Sequence, residues 1–368
     1  MSLITSTSAL TAPEVFCLSC VRSLESHPLA PENFRRKTST LDRIQSEDNM
    51  SAWSMIDCIF PAKDYPTGAD NLPKVILEGE TGFSDNLTPG DCSEDVCTTG
   101  SATSDDRFRL ELVIDQCDHE KFTITVDDFN AICTSPSERW ARQLRKAAYN
   151  LKRRKNRLLI SLLYAEAQNY PVSGDASSGA TTQTVPMLTT DANINAVGYS
   201  KILSTYRVSG YEGELMTFGG ETLASYGDVK SLTGSQFQDG SRPDPFENQP
   251  FVYDRDLDSV IQPLQADTDS YAMTIPMGSV GVVNWYENEG YNEMSMPHYI
   301  ATTITIDGEK YDYWVRFEEC PTPRYTVMLR QRWAMPVIPS THYVDDEPLK
   351  LLWKIGCADA DCNTPDPA

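Results

Sequence analysis

Residues 135–169 read SPSERWARQLRKAAYNLKRRKNRLLISLLYAEAQN, and the stretch is patterned as one long helix. Ser135 is placed to cap its N-terminus, Pro136 suits the first turn, and Glu138 completes a capping box. Apolar residues recur at Trp140, Leu144, Ala147/Ala148, Leu151, Leu158/Leu159 and Leu162/Leu163, the period of a helix with one buried face. No glycine or proline falls between Arg139 and Tyr170, and Pro171 closes the run. At 1.5 Å per residue such a helix spans roughly 50 Å, far beyond the mean for a globular domain, so it is expected to act as a structural spine.

The same stretch carries Arg139, Arg142, Arg145, Lys146, Lys152, Arg153, Arg154, Lys155 and Arg157. These are nine of the chain's 31 lysines and arginines, with no acid between 139 and 157, in a chain whose net charge is −22. A positive rod in an acidic chain points to a nucleic acid or to an acidic protein surface. Only Trp140 and Tyr149 interleave the cations, too few to stack single-stranded bases, and no helix-turn-helix, zinc module or RNA-binding signature surrounds them. Acidic loops on a further copy of the chain fit better, because opposite charges within one sequence favour self-association. The nine residues are therefore expected at a subunit interface. Their leading partner is the stretch Ser84–Asp106, with Asp85, Asp91, Glu94, Asp95, Asp105 and Asp106. On this expectation, reversing Arg153, Arg154 and Lys155 to Glu leaves the subunit folded and impairs assembly. The plainer alternative is that these residues only solvate the helix or face DNA.

A chain of 368 residues can hold two or three domains, each with a real core. Its acidity argues against non-specific DNA binding by the protein as a whole. No apolar run reaches about 18 residues, so no membrane span is expected, and MSLITSTSALTAPEVF lacks the charged and apolar regions of a signal peptide. The ten cysteines include a single CxxC, Cys17/Cys20, which without a second pair does not make a zinc ribbon; reduced thiols are expected.

Around the helix, residues 1–50 read as a polar, extended arm with a short helix near Val15–Ser26. Short apolar segments at Met55–Phe60 and Val75–Leu77 precede strands at Phe108–Ile114 and Phe122–Val126, and the Gly/Ser/Thr-rich acidic stretch at 84–106 makes this a projecting hairpin. A short helix is expected over 127–133, a flexible link at 173–184, a helix over Asp191–Tyr206, a strand over Leu215–Phe218 and a helix over Glu221–Tyr226. A turn-rich loop follows at 234–250. From Phe251 the chain turns β-rich, with strands at Tyr271–Pro276 and Val280–Tyr286, a hairpin of Tyr299–Ile306 and Lys310–Phe317 about Asp307-Gly308, and a strand at Arg324–Trp333.

No constellation for chemistry emerges. The glycines at 210–220 lack the P-loop and dinucleotide patterns, and neither GxSxG nor HExxH occurs. Asp118-His119-Glu120 reads as a turn between strands rather than a metal site, and the acidic doublets Asp127/Asp128 and Glu318/Glu319 are what an acidic composition produces. Neither catalytic residues nor cofactor or metal ligands are expected.

The order of parts, together with three segments, resembles the major capsid protein of tailed bacteriophages, the Hong Kong 97 type of fold, including the crAss-like and related phages. The segments are FTITVDDFNAI leading into the long helix, Ile275-Pro276-Met277-Gly278-Ser279-Val280-Gly281 with Asn284 and Trp285, and 310–344 closing in LLWKIGCADADC. The resemblance implies an α+β fold: arm 1–50, E-loop region 51–126, peripheral domain with spine helix 127–184, axial domain 185–290, peripheral-domain sheet 291–340 and C-terminal segment 341–368. It implies a non-enzymatic subunit that self-assembles through hexamers and pentamers into an icosahedral shell around double-stranded DNA. Such a shell is assembled in the host cytoplasm, touches DNA only non-specifically, contacts no membrane, and has scaffold, portal and decoration proteins as further candidate partners. The competing reading is an acidic binding protein or hydrolase of the cell surface, against which the missing export signal counts.

Overall fold

The computed structural model describes residues 38–51, 57–59, 73–80, 107–125, 136–169, 184–186, 213–221, 251–263, 270–288, 294–296, 299–318, 323–338, 343–344, 347–348 and 352–358, with 204, 206, 207 and 211 besides. The short helices expected at Val15–Ser26 and 127–133, the loop Ser84–Asp106, the link 173–183, most of the Asp191–Tyr206 and Glu221–Tyr226 helices, and the 234–250 loop lie outside the described residues. The chain divides into two compact units.

The first unit combines residues 114–156 with 283–334. Its sheet takes β4 (Gln116–Thr125) from before the long helix α3 (Pro136–Glu166) and β10 (Val283–Trp285), β11 (Met294–Met296), β12 (Tyr299–Ile306), β13 (Glu309–Glu318) and β14 (Arg324–Ala334) from well after it. All pairings are antiparallel, and β14 is the hub, bonded to β13, β4 and β10. The β12–β13 hairpin closes on Asp307 (φ 50°) and Gly308 (φ 85°), the left-handed pair that a two-residue turn matched to strand twist requires. The first two-thirds of α3 buries Trp140, Leu144, Ala147, Ala148 and Leu151 against Ile124, Tyr311, Tyr313, Val315, Val327 and Leu329 of the sheet. Trp140 anchors this layer edge-on to Tyr325 (5.7 Å between centroids) and Phe122 (6.4 Å).

The second unit combines residues 39–113, 157–282 and 335–368. Its main sheet has the order β5 (Gln168–Asn169), β17 (Trp353–Ala358), β9 (Ser270–Pro276), β7 (Leu215–Gly219) and β8 (Phe251–Tyr253), with β6 (Thr184–Pro186) also on β17. Strands β7 and β9 are buried along their whole length, as their near-continuous apolar runs require. Tyr206 stacks on Trp353 at 4.0 Å and donates its hydroxyl to the Thr274 carbonyl at 2.7 Å. A separate sheet of β1 (Asp57–Ile59), β2 (Lys74–Glu80) and β3 (Arg107–Val113) is antiparallel. The expected hairpin is thus formed by β2 and β3.

Four sequence expectations are corrected. The helix ends at Glu166 rather than Asn169. The Gln168 amide donates to the Leu352 carbonyl at 2.8 Å, so pairing with the strand β17 outcompetes a further helical turn. Asp118, His119 and Glu120 do not form a turn; they lie inside β4, paired with Gln331, Arg330 and Leu329 of β14, and the chain breaks instead at Ile114–Asp115. Residues 39–50, expected as part of an extended arm, fall in helices α1 (Ser39–Ile44) and α2 (Glu47–Ser51), with Leu41, Ile44 and Asn49 fully buried. Asn49 satisfies its whole amide there, donating to the carbonyls of Ile44 and Val280 and accepting from the Gly278 amide. Finally, residues 255–261 form helix α4 (Arg255–Ile261), within a region expected to be β-rich.

Candidate interface: the basic face of the long helix

The nine cations of α3 do not share one environment. Arg154 lies over β4, its Nη1 2.8 Å from Glu120 and its Nη2 donating to the His119 carbonyl at 3.0 Å, with Asp118 accepting from its Nε at 2.5 Å. Strand alternation explains the arrangement. Asp118 and Glu120 share a sheet face with Phe122 and Ile124, the face that meets the helix. Partial burial works against the charge of Arg154, but these two carboxylates outweigh it and hold its pKa above the ordinary guanidinium value.

Lys155 is 2% exposed. Its ammonium donates to Asn284 Oδ1 at 2.8 Å and lies 5.6 Å from the Trp333 ring centroid. Burial, with Lys152 nearby, lowers its pKa to about 8 against the pull of Glu309. The folded protein therefore holds this proton less tightly than the unfolded chain does. The resulting penalty is complete below pH 8 and is relieved as pH rises toward the unfolded value of 10.5. At about 1.4 kcal/mol per pKa unit it is on the order of 3 kcal/mol. Denaturant unfolding across this window should show stability rising with pH, and Lys155→Met should flatten that rise; an unchanged slope in the variant would remove Lys155 from the account.

In the second unit, Arg157 donates to Ser259 Oγ at 3.1 Å and reaches the fully buried carboxylate of Asp256 at 3.4 Å. Arg145 is 8% exposed and Arg139, Lys152 and Arg153 are half-buried, each with a partner of its own. Only Arg142 and Lys146 are exposed without a recorded partner, one helical turn apart on a single face. The nine residues expected at an interface thus differ in accessibility within the subunit. Lys155 is inaccessible, Arg154 and Arg157 are engaged within their own units, and the reversal of Arg153, Arg154 and Lys155 would place a carboxylate in the interior beside Trp333. The alternating carboxylates Asp118 and Glu120 were the sequence signal for the Arg154 contact, since they continue the period-two face of Phe122 and Ile124.

Among the described residues, no group of three or more His, Cys, Asp or Glu could hold a metal ion, and no helix is long and apolar enough to cross a membrane. Cys117 is exposed and unpaired.

No protein-family model and no curated protein matches the chain. Among solved structures it is similar to a chain of Mycobacterium phage Che8, at 12% identity and a TM-score of 0.44 over 77% of this chain and 84% of that one. It is similar to a chain of the bacteriophage PhiM1 mature capsid, at 12% identity and 0.43 over 80% and 84%, and to one in the capsid of Staphylococcus phage Andhra, at 8% identity and 0.44 over 77% and 80%.

Proposed function

We propose that the chain is the shell-forming subunit of a tailed-phage capsid, self-assembling into an icosahedral container for double-stranded DNA. The observation that carries this reading is the path of the chain. A hairpin comes first, then a 31-residue helix, then a second sheet, and then a return that completes the sheet packed on the helix. This is the order of parts on which the sequence resemblance rests. In this reading β2 and β3 belong to the E-loop region 51–126, α3 is the spine, and the two units correspond to peripheral and axial parts. The role is structural rather than enzymatic, the partners are further copies in hexamers and pentamers, and scaffold, portal and decoration proteins join during assembly in the host cytoplasm.

Arg142 and Lys146 are the cations placed to meet acids of a neighbouring copy. An exposed pair contributes about 0 to 1 kcal/mol and is screened by salt. Two lost pairs weaken one contact by roughly thirtyfold at most, and the loss recurs at every equivalent contact of a closed shell. Arg142→Glu with Lys146→Glu is expected to leave the circular dichroism spectrum intact while cutting the yield of large particles, read by light scattering and negative-stain microscopy. A wild-type chain that stays monomeric across concentration and salt would defeat the shell reading. A double variant that assembles as well as wild type would defeat only the interface role.

A further inference from the structure

The sheet of the first unit has one face against α3; the opposite face carries an unusual charge for this chain. Strand alternation and register place Lys121 and Thr123 of β4, Arg324 and Thr326 of β14, and Arg316 and Glu318 of β13 together on it. Glu318 accepts from Arg324 Nε at 2.6 Å and lies 3.7 Å from Arg316. The Arg324 hydrogen bond, with Arg316 and Lys121 adding their charge, holds its carboxyl below the ordinary range. One carboxylate is therefore surrounded by three cations. Lys121, Thr123, Arg316 and Arg324 are all exposed. Further along β14, Arg332 lies opposite Cys117, and its buried Nε has no hydrogen-bond acceptor among the described residues. In a chain of net charge −22, this face is a local positive surface.

We propose that this face docks the phosphate backbone of duplex DNA, an inference that rests on the shell reading, in which such DNA is enclosed. The chemistry selects this occupant over a second protein copy. A protein interface centres on exposed apolar side chains, but the apolar residues here, Met328 and Trp314, are already half-buried. What the face offers is guanidinium, ammonium and threonine hydroxyl, the groups that bond phosphate oxygens. The surface is a sheet rather than a helix or ribbon able to enter a groove, so the contact reads charge and not sequence.

The test titrates the full-length chain with a fluorescently labelled duplex over a range of salt concentrations, for two unrelated sequences. Binding should be sequence-indifferent and fall with salt. The Lys121→Gln, Arg316→Gln, Arg324→Gln variant should lower the slope of log K against log salt by about 2 to 3, near 0.9 per lost phosphate contact. Lys121→Gln alone, at an exposed position, should lower it by about 1 and guards against misfolding of the triple variant. Absence of binding at low salt, or an unchanged slope in the triple variant, overturns the proposal. So does a triple variant that loses self-association while keeping its DNA affinity, since the occupant is then another copy. Light scattering separates the two ideas: particles without DNA binding sink this face and spare the shell, whereas DNA binding by a chain that never assembles does the reverse.

Discussion

Trp140→Ala is expected to destabilise the first unit by about 3 to 5 kcal/mol, the range for truncating a buried large aromatic. Trp140 is 7% exposed and touches both halves of the discontinuous sheet, with Phe122 from before the helix and Tyr325 from after it. Its loss opens a cavity and removes two edge-on ring contacts, each worth about 0.5 to 1.5 kcal/mol beyond area. Trp140→Phe should cost clearly less, since it keeps one ring in place. Urea unfolding followed by circular dichroism would show the first variant's midpoint falling well below that of the second. Equal midpoints would mean that the helix is held to the sheet by other contacts.

The second large effect is expected at Asp254, in the other unit. Its buried carboxylate caps α4 by accepting from the Asp256 amide at 2.9 Å, and it accepts both the amide (3.0 Å) and the hydroxyl (2.8 Å) of Thr40 in α1. Asp254→Ala strands three donors where water does not reach, and a buried donor left unsatisfied costs about 1 to 3 kcal/mol. With partial relaxation the total should be about 3 to 5 kcal/mol. The loss should be visible locally as well, because Thr40 ties residues 39–51 to sequence more than 200 positions away. Limited proteolysis should cut that segment early in Asp254→Ala and more slowly in Asp254→Asn, whose amide oxygen still accepts. A segment equally resistant in all three proteins would show that Leu41, Ile44 and Asn49 hold it unaided.

The features legible in the sequence are those whose signals are local. The period of Trp140, Leu144, Leu151 and Leu159 is enough to place the spine, and Asp307-Gly308 is enough to place the hairpin. The apolar runs at 215–219 and 270–276 give two of the central strands. What was missed depends on partners far along the chain. Polar Asp118-His119-Glu120 is strand only because β14 lies beside it and Arg154 above it. Helices α1 and α2, at six and five residues, are too short to show a period and are fixed by Asp254 and by Asn49's contacts with Gly278 and Val280. The basic run was visible as charge. Which of its members are spent within the subunit could not be read, because a salt bridge such as Arg154 to Asp118 is a property of packing.

The placement of β17 has a consequence for the order of synthesis. Trp353–Ala358 occupies an inner position of its sheet, antiparallel to β9 and parallel to β5 and β6, and every strand it joins precedes it in the chain. A ribosome that has delivered residues up to about 340 has supplied every described strand of the first unit. It leaves an open slot along β9, where Trp353 and Ile355 will be buried. The nascent chain therefore carries one unit whose described strands are all present and one held ajar by its own unmade strand. The second unit cannot close until Trp353–Ala358 has emerged, so its sheet is completed later than that of the first unit.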